Sequence, residues 1–132
     1  YIGYYKLNRI KVKRVSTMPK DCLFCKIISG EIPSTEVYRD EQIFAFEDIN
    51  PAAPTHILVI PIKHIQDVSS ATIEDQETLG KLLLVANKIA EDKGLKKDGF
   101  RYVINTGANG GQTVFHLHLH ILGGRSLGWP PG

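Results

Sequence analysis

Near the C-terminus, Phe115-His116-Leu117-His118-Leu119-His120-Ile121-Leu122 alternates apolar residues and histidines with a period of two. That period is the signature of an extended strand with one face buried, because successive side chains point to opposite sides. Leu117, Leu119 and Ile121 are then directed into a core. His116, His118 and His120 share the other face, with neighbours spaced roughly 6.7 Å apart. Three of the five histidines in the chain fall within these positions, which marks the row as a functional site rather than an ordinary polar face.

A chain of 132 residues fits one domain and is long enough to bury a core. No stretch approaches the ~20 apolar residues of a membrane span, so no membrane association is expected. The formal charge of +2 hides an asymmetry. Residues 1–20 carry Lys6, Arg9, Lys11, Lys13, Arg14 and Lys20 without an acid, whereas the other ten basic and fourteen acidic residues leave −4 on residues 21–132. An acidic body argues against nucleic-acid binding, which needs a basic face. The division expected is a flexible basic extension over residues 1–20 and a folded domain over 21–132. The extension could be a basic arm, a targeting peptide, or translated sequence ahead of a start at Met18.

Cys22 and Cys25 form a Cys-x-x-Cys pair. Two cysteines without a secretory signal do not make a disulfide framework. The spacing suits a metal knuckle or a redox pair. A redox pair is expected beside a βαβ unit, which the order of elements does not supply. Two thiolates fill half of a tetrahedral zinc shell, so other ligands must come from elsewhere.

Leu23, Phe24, Ile27 and Ile28 have helical spacing behind Asp21, a candidate N-cap, and Gly30 is a natural stop. Residues 36–39 and 43–48 read as a hairpin. The loop 50–55 is stiffened by Pro51 and Pro54, and His56-Ile57-Leu58-Val59-Ile60-Pro61 reads as a central strand covered on both faces. Residues 64–70 are expected to form a short helical turn. Thr72 is placed to cap the longest helix, with Leu79, Leu82, Leu83, Ala86, Ile89 and Ala90 as its core stripe and Gly94 as its end. A strand over 100–105 and a loop over 106–113 lead into the histidine row. This order gives an α+β domain with a mostly antiparallel sheet.

Same-face histidines can ligate a metal, or one can serve as a nucleophile kept neutral by its neighbours. The loop before them carries Gly107, Gly110 and Gly111, which let backbone amides approach a ligand, and Gln112 and Thr113 add side-chain donors. Such a loop is suited to phosphate oxygens. A middle imidazole attacking phosphorus would form a phospho-histidyl intermediate, with nearby donors stabilising the non-bridging oxygens.

The run His116-Leu117-His118-Leu119-His120-Ile121-Leu122 resembles the motif of the histidine triad (HIT) superfamily. The Hint branch is resembled in order by further blocks: Phe24-x-Lys26-Ile27-Ile28 with Glu31-Ile32-Pro33; Ala45-Phe46-x-Asp48-Ile49-x-Pro51-x-Ala53-Pro54-Thr55-His56; Gly110-Gly111-Gln112; and Trp129-Pro130-Pro131-Gly132. The likeness spans roughly residues 21–132. It implies a HIT-like α+β fold with a five-stranded, mainly antiparallel sheet and two principal helices per subunit, the sheet extended across a homodimer. It also implies hydrolysis of purine nucleoside 5′-phosphoramidates of the adenosine type to nucleoside monophosphate and amine. AMP and GMP are the implied ligands, no organic cofactor is implied, and the location is cytoplasmic.

By the same resemblance His118 is the nucleophile, its far ring nitrogen held protonated by the carbonyl of His116. His120 and His56 approach the α-phosphate, and Asn105, Gly111, Gln112 and Thr113 line it from the other side. Asp48 binds the ribose, beside Asn50, and Ile27, Phe46 and Ile49 enclose the base. Trp129 would reach the partner subunit's site. Thr113 and Asn50 stand where Hint proteins commonly have serine, which leaves the reaction intact and substrate preference less constrained. Zinc-holding bacterial relatives imply a structural site made of Cys22, Cys25, His64 and His116. Two other readings share the triad: hydrolysis of dinucleoside polyphosphates, as in the Fhit branch, and a non-catalytic nucleotide-sensing or scaffold dimer.

Overall fold

The computed structural model describes residues 19–132, so the expectations for the basic leader and for Met18 lie outside the described residues. The first element is helix α1, Leu23–Ser29, which buries Phe24, Cys25, Ile27 and Ile28. Its N-cap is Cys22 rather than Asp21. Cys22 is the extended residue at the helix start, and its Sγ accepts the amide of Cys25 at 3.3 Å. Gly30 ends the helix with φ +86°, a conformation that favours a residue without Cβ.

Strands β1 (Glu36–Arg39), β2 (Ile43–Glu47) and β3 (Thr55–Pro61) follow. Helix α2, Gln76–Asp92, crosses back, and strands β4 (Phe100–Val103) and β5 (Leu119–Gly123) complete the sheet. The sheet order is β1-β2-β3-β5-β4, antiparallel at every pairing. The expected α+β architecture with five antiparallel strands and two helices is therefore the observed one.

Alternation sorts the sheet into two cores. Ile43, Ala45, Ile57, Val59, Leu119 and Ile121 pack with Leu82, Val85, Ala86, Ile89 and Ala90 of α2. Phe44, Phe46, Leu58 and Ile60 pack instead with Phe24, Cys25, Ile27 and Ile28 of α1. Strand β3 is thus apolar on both faces because each face has its own helix. Leu83, expected in the α2 stripe, is 45% exposed. Val85 takes the place in the stripe, since at about 100° per residue Leu83 falls just outside the arc spanned by Val85, Ile89, Leu82, Ala86 and Ala90.

Two local expectations are corrected. Only Val68–Ser70 of the 64–70 stretch is helical, as a 3-10 turn capped by Asp67. Thr72 does cap with Asp75 in a reciprocal capping box, but of a 3-10 turn, Ile73–Asp75, that runs into α2. The histidine row also enters the ladder later than its pattern indicates. Pairing with β3 begins at Val59↔Leu119, and Leu117 instead donates its amide to Ile65 O. The sidedness of the row still holds, with Leu117, Leu119 and Ile121 in the α2-side core.

Candidate active site

On the α1 face of the sheet a cleft of about 700 Å³ opens between the helix and strands β2, β3 and β5. His118 and His120 line it at one end, with Thr113 and Val114 beside them. Ile27, Phe46, Asp48, Ile49 and Asn50 form other parts of the wall. The volume lies in the range of small-molecule sites, and the lining is mostly apolar with a few polar groups, as such sites usually are. Ile49 is 92% exposed at the rim, so its side chain has an open face.

The protonation pattern of the imidazoles follows from their partners. A carbonyl only accepts, so His118 Nδ1 carries a proton donated to His116 O at 2.7 Å. When His118 is neutral, its Nε2 therefore holds a free lone pair. Burial lowers the pKa of His118, against the raising effects of the His116 hydrogen bond and of Asp48. The neutral, nucleophilic form is thereby favoured at neutral pH.

A second chain of bonds fixes the neighbouring pair. The amide of Ala52 donates to His56 Nδ1 at 2.9 Å, so the proton of neutral His56 is on Nε2. That nitrogen stands 2.9 Å from His120 Nδ1 and 3.4 Å from an oxygen of Asp48. His120 Nδ1 accepts, which puts the proton of neutral His120 on Nε2. This Nε2 is buried and has no hydrogen-bond partner among the described residues. A buried donor without an acceptor costs stability, and such exceptions in folded proteins call for an explanation. Burial, then the neighbouring His118 and His56, pushes the pKa of His120 down to about 4. Burial also lowers His56, opposed by Asp48.

Asp48, His56 and His120 are close enough together to raise the question of a metal. The Ala52 amide answers it: an imidazole accepting at Nδ1 could coordinate through Nε2 only as the imidazolate. The trio is a hydrogen-bonded relay. Arg125 reinforces the loop that supplies this amide by donating to Ala52 O at 2.8 Å.

The glycine-rich loop differs from its expected role. Gly107 donates its amide to Gln112 Oε1 at 2.8 Å, and Gly111 donates to Ala108 O at 3.0 Å. Gln112 Nε2 donates to Gln66 O and Val114 O, while its amide donates to Gly107 O. Gln112 is thus a buried staple of the loop and not a free donor, because its amide group is just long enough to satisfy carbonyls on both sides. Gly110 is needed because a Cβ there would lie 2.6 Å from Thr106 O. Thr113 is the residue of this segment that reaches the cleft; Asn105, Gly111 and Gln112 do not line it. Trp129 is 82% exposed and does not line it either. Phe24 does line it, together with Leu23 and Leu58. Their apolar spacing in the sequence read only as core, and nothing in it separated a wall residue from a core residue.

Behind the triad lies a second cluster. His116 is fully buried, and its Nε2 donates to Pro61 O at 2.8 Å, which leaves Nδ1 as a free ligand atom. Around Nδ1 stand Cys22 Sγ at 3.4 Å, Cys25 Sγ at 3.6 Å and His64 Nδ1 at 3.2 Å; Cys25 Sγ is 3.6 Å from His64 Nδ1. Tetrahedral coordination with ordinary zinc bond lengths places S and N ligands roughly 3.6 Å apart and two N ligands about 3.3 Å apart. The cluster fits that shell closely. Burial, then Cys22, pushes the Cys25 thiol up to about 12, and burial holds His116 down to about 4. Burial also lowers His64, opposed by Asp21. The Cys25 thiol therefore ionises readily only when a cation is present.

A sheet of this topology, with a histidine triad running into strand β5 and an adjoining cleft, defines the class. The HIT domain family model matches residues 29–127, and the chain belongs to this family. The purine nucleoside phosphoramidase of Escherichia coli K12 is 50% identical over 111 residues, covering 84% of this chain and 93% of that protein. An uncharacterised HIT-like protein of Synechocystis is 56% identical over 115 residues, covering 87% of this chain and 100% of that protein. Among solved structures, a HIT family hydrolase from Legionella pneumophila superposes with TM-score 0.84 at 52% identity, covering 85% of this chain and 100% of its own. A histidine triad protein from Clostridium difficile gives TM-score 0.81 at 48% identity, covering 84% and 96% respectively.

Proposed function

We propose that the protein hydrolyses purine nucleoside 5′-phosphoramidates to nucleoside monophosphate and amine through a nucleotidyl intermediate on His118. The observation that carries this reading is the pair formed by an unprotonated His118 Nε2 and the unpartnered N–H of His120 in one cleft. The 50% identity to a purine nucleoside phosphoramidase supports the choice of a P–N bond. In the first step Nε2 of His118 bonds to phosphorus as the P–N bond breaks. The His118 ring becomes cationic, and its Nδ1–H, held by His116 O, stabilises that charge. The departing amine needs a proton. His120 takes that proton up once the substrate's phosphate anion is bound, its Nδ1 contact to His56 giving way. It passes the proton on Nε2 to the amine nitrogen as the P–N bond breaks, which leaves His120 neutral with Nε2 free. Water then attacks phosphorus, one of its protons passing to His120 Nε2, and the P–Nε2 bond breaks to free the monophosphate and restore neutral His118.

Asp48, one of whose oxygens accepts the Asn50 amide at 2.8 Å, offers its remaining acceptor capacity to the ribose hydroxyls. Ile27, Phe46 and Ile49 enclose the base, and Thr113 presents its hydroxyl to the phosphate. Cys22, Cys25, His64 and His116 would hold a zinc ion with protein ligands alone, and the contribution of such an ion would be structural. These ligands would then tie down the segment whose carbonyl orients His118. A homodimer formed through the outer strand β4 would give exposed Trp129 a partner surface, and a cytoplasmic location suits free thiols.

Turnover of an adenosine 5′-phosphoramidate carrying a fluorescent amine, with wild type and His118→Ala compared, tests the reading. Release of amine by the wild type and its loss in the variant are expected. A folded, AMP-binding wild type that releases no amine would remove the phosphoramidase assignment.

A further inference from the structure

We propose that Phe24 is a positioning residue for the nucleophile, its ring set perpendicular to His118 so that the imidazole keeps its attacking orientation. The inference rests on His118 being the nucleophile. The ring centroids lie 5.1 Å apart with planes at 88°. Phe24 is in turn held by Phe46, at 5.4 Å and 75°, and packs against His116 at 6.0 Å and 65°. It is only 4% exposed, so its ring has little room to move.

The hydrogen bond from His118 Nδ1 to His116 O anchors one ring atom. One hydrogen bond fixes the Nδ1 to oxygen distance and only loosely its direction, so χ1 and χ2 can still shift together and carry Nε2 with them. A second contact is therefore needed to fix the reacting nitrogen. Phe24 supplies it from α1, with the perpendicular geometry that aromatic quadrupoles favour. His120 adds another from β5, at 4.9 Å and 60°. The placement of Phe24 is set by its neighbours in sequence, since it sits between Cys22 and Cys25, both drawn to His116. The cysteine cluster thus reaches the nucleophile by two routes, through the His116 carbonyl and through the Phe24 ring.

The test compares wild type, Phe24→Leu and Phe24→Tyr as zinc-loaded protein. Because Phe24 also lines the cleft, loss of a base contact must be separated from loss of orientation. For Phe24→Leu, kcat is expected to fall about ten- to a hundredfold, the scale of a small misplacement of reacting atoms. Adenosine, which has no phosphate to meet His118, should bind within about threefold of wild type. Phe24→Tyr should restore most of kcat. Nitrogen-15 NMR of the ligand-free protein should show one Nδ1–H tautomer for His118 in the wild type and averaged or broadened ring signals in Phe24→Leu. If Phe24→Leu does not fold, Phe24→Met takes its place with the same expectations. A rise in KM and in the adenosine Kd at unchanged kcat, with the NMR signals unaltered, would overturn the proposal. If the wild type itself turns nothing over, the functional reading fails, and the NMR comparison still decides whether Phe24 orders His118.

Discussion

His120 is the residue on which the chemistry can be dissected most sharply. Its Nε2–H is buried and faces no acceptor among the described residues. His120→Ala should lower kcat by about a hundredfold for an alkylamine leaving group, in keeping with loss of a general acid. The loss should shrink for a leaving group that departs without a proton, which a plot of rate against leaving-group pKa would show. The same burial has a consequence for stability. The pKa of His120 lies at about 4 against an ordinary value of 6.5, and His56 is lowered as well. Between those values the unfolded chain binds protons that the folded chain refuses. Stability from these groups is therefore complete above about pH 6.5 and lost as the pH falls toward 4. Thermal melts across this window should show a falling midpoint, with a weaker slope in His120→Ala. A flat profile would contradict neutral burial of the pair.

At the scale of elements, the cysteine turn and the glycine loop are the two devices that hold the triad. Zinc analysis should find one ion per chain, and Cys25→Ser or exhaustive chelation should abolish it and lower the melting midpoint by several degrees or more. Unchanged stability with no bound metal would leave the cluster as a hydrogen-bonded core. Gln112→Ala removes the contacts to Gly107, Gln66 and Val114. Leaving those backbone groups unpaired should destabilise the protein by about 1–3 kcal/mol, measurable by denaturant unfolding. Most elements were legible in the sequence because period and capping residues agreed, as at β3 and at Thr72. Two of the misreadings share one cause. Cys22 displaced Asp21 as a cap, and Gln112 turned inward, because tertiary partners claimed groups that local rules assign elsewhere. Phe24 was passed over for the same reason, since a helical apolar residue next to a core looks alike whether or not a cleft opens beside it.

For the whole molecule, the sheet carries a helix on each face, and the site lies where the α1 side leaves a gap. The triad was legible from strand alternation, and Asp48 and His56 joined it only through the family resemblance; in the fold, the pairing of β3 with β5 sets Leu58 opposite His120 and His56 opposite Leu122. The relay through Ala52 was not, since a backbone amide leaves no mark in the sequence. In solution the proposed dimer should show twice the mass of one chain by light scattering, and removal of residues 129–132 should then alter selectivity among amines while leaving the dimer intact. The central claim, attack by His118, is tested most directly by quenching the reaction during turnover and weighing the protein. The account predicts an added nucleotidyl mass, labile to acid and located on the peptide bearing His118, absent in His118→Ala. Turnover in which no such adduct accumulates even in a variant slowed at the hydrolysis step, with a substrate made chiral at phosphorus by sulfur and oxygen-18 water showing a single inversion there, would contradict it.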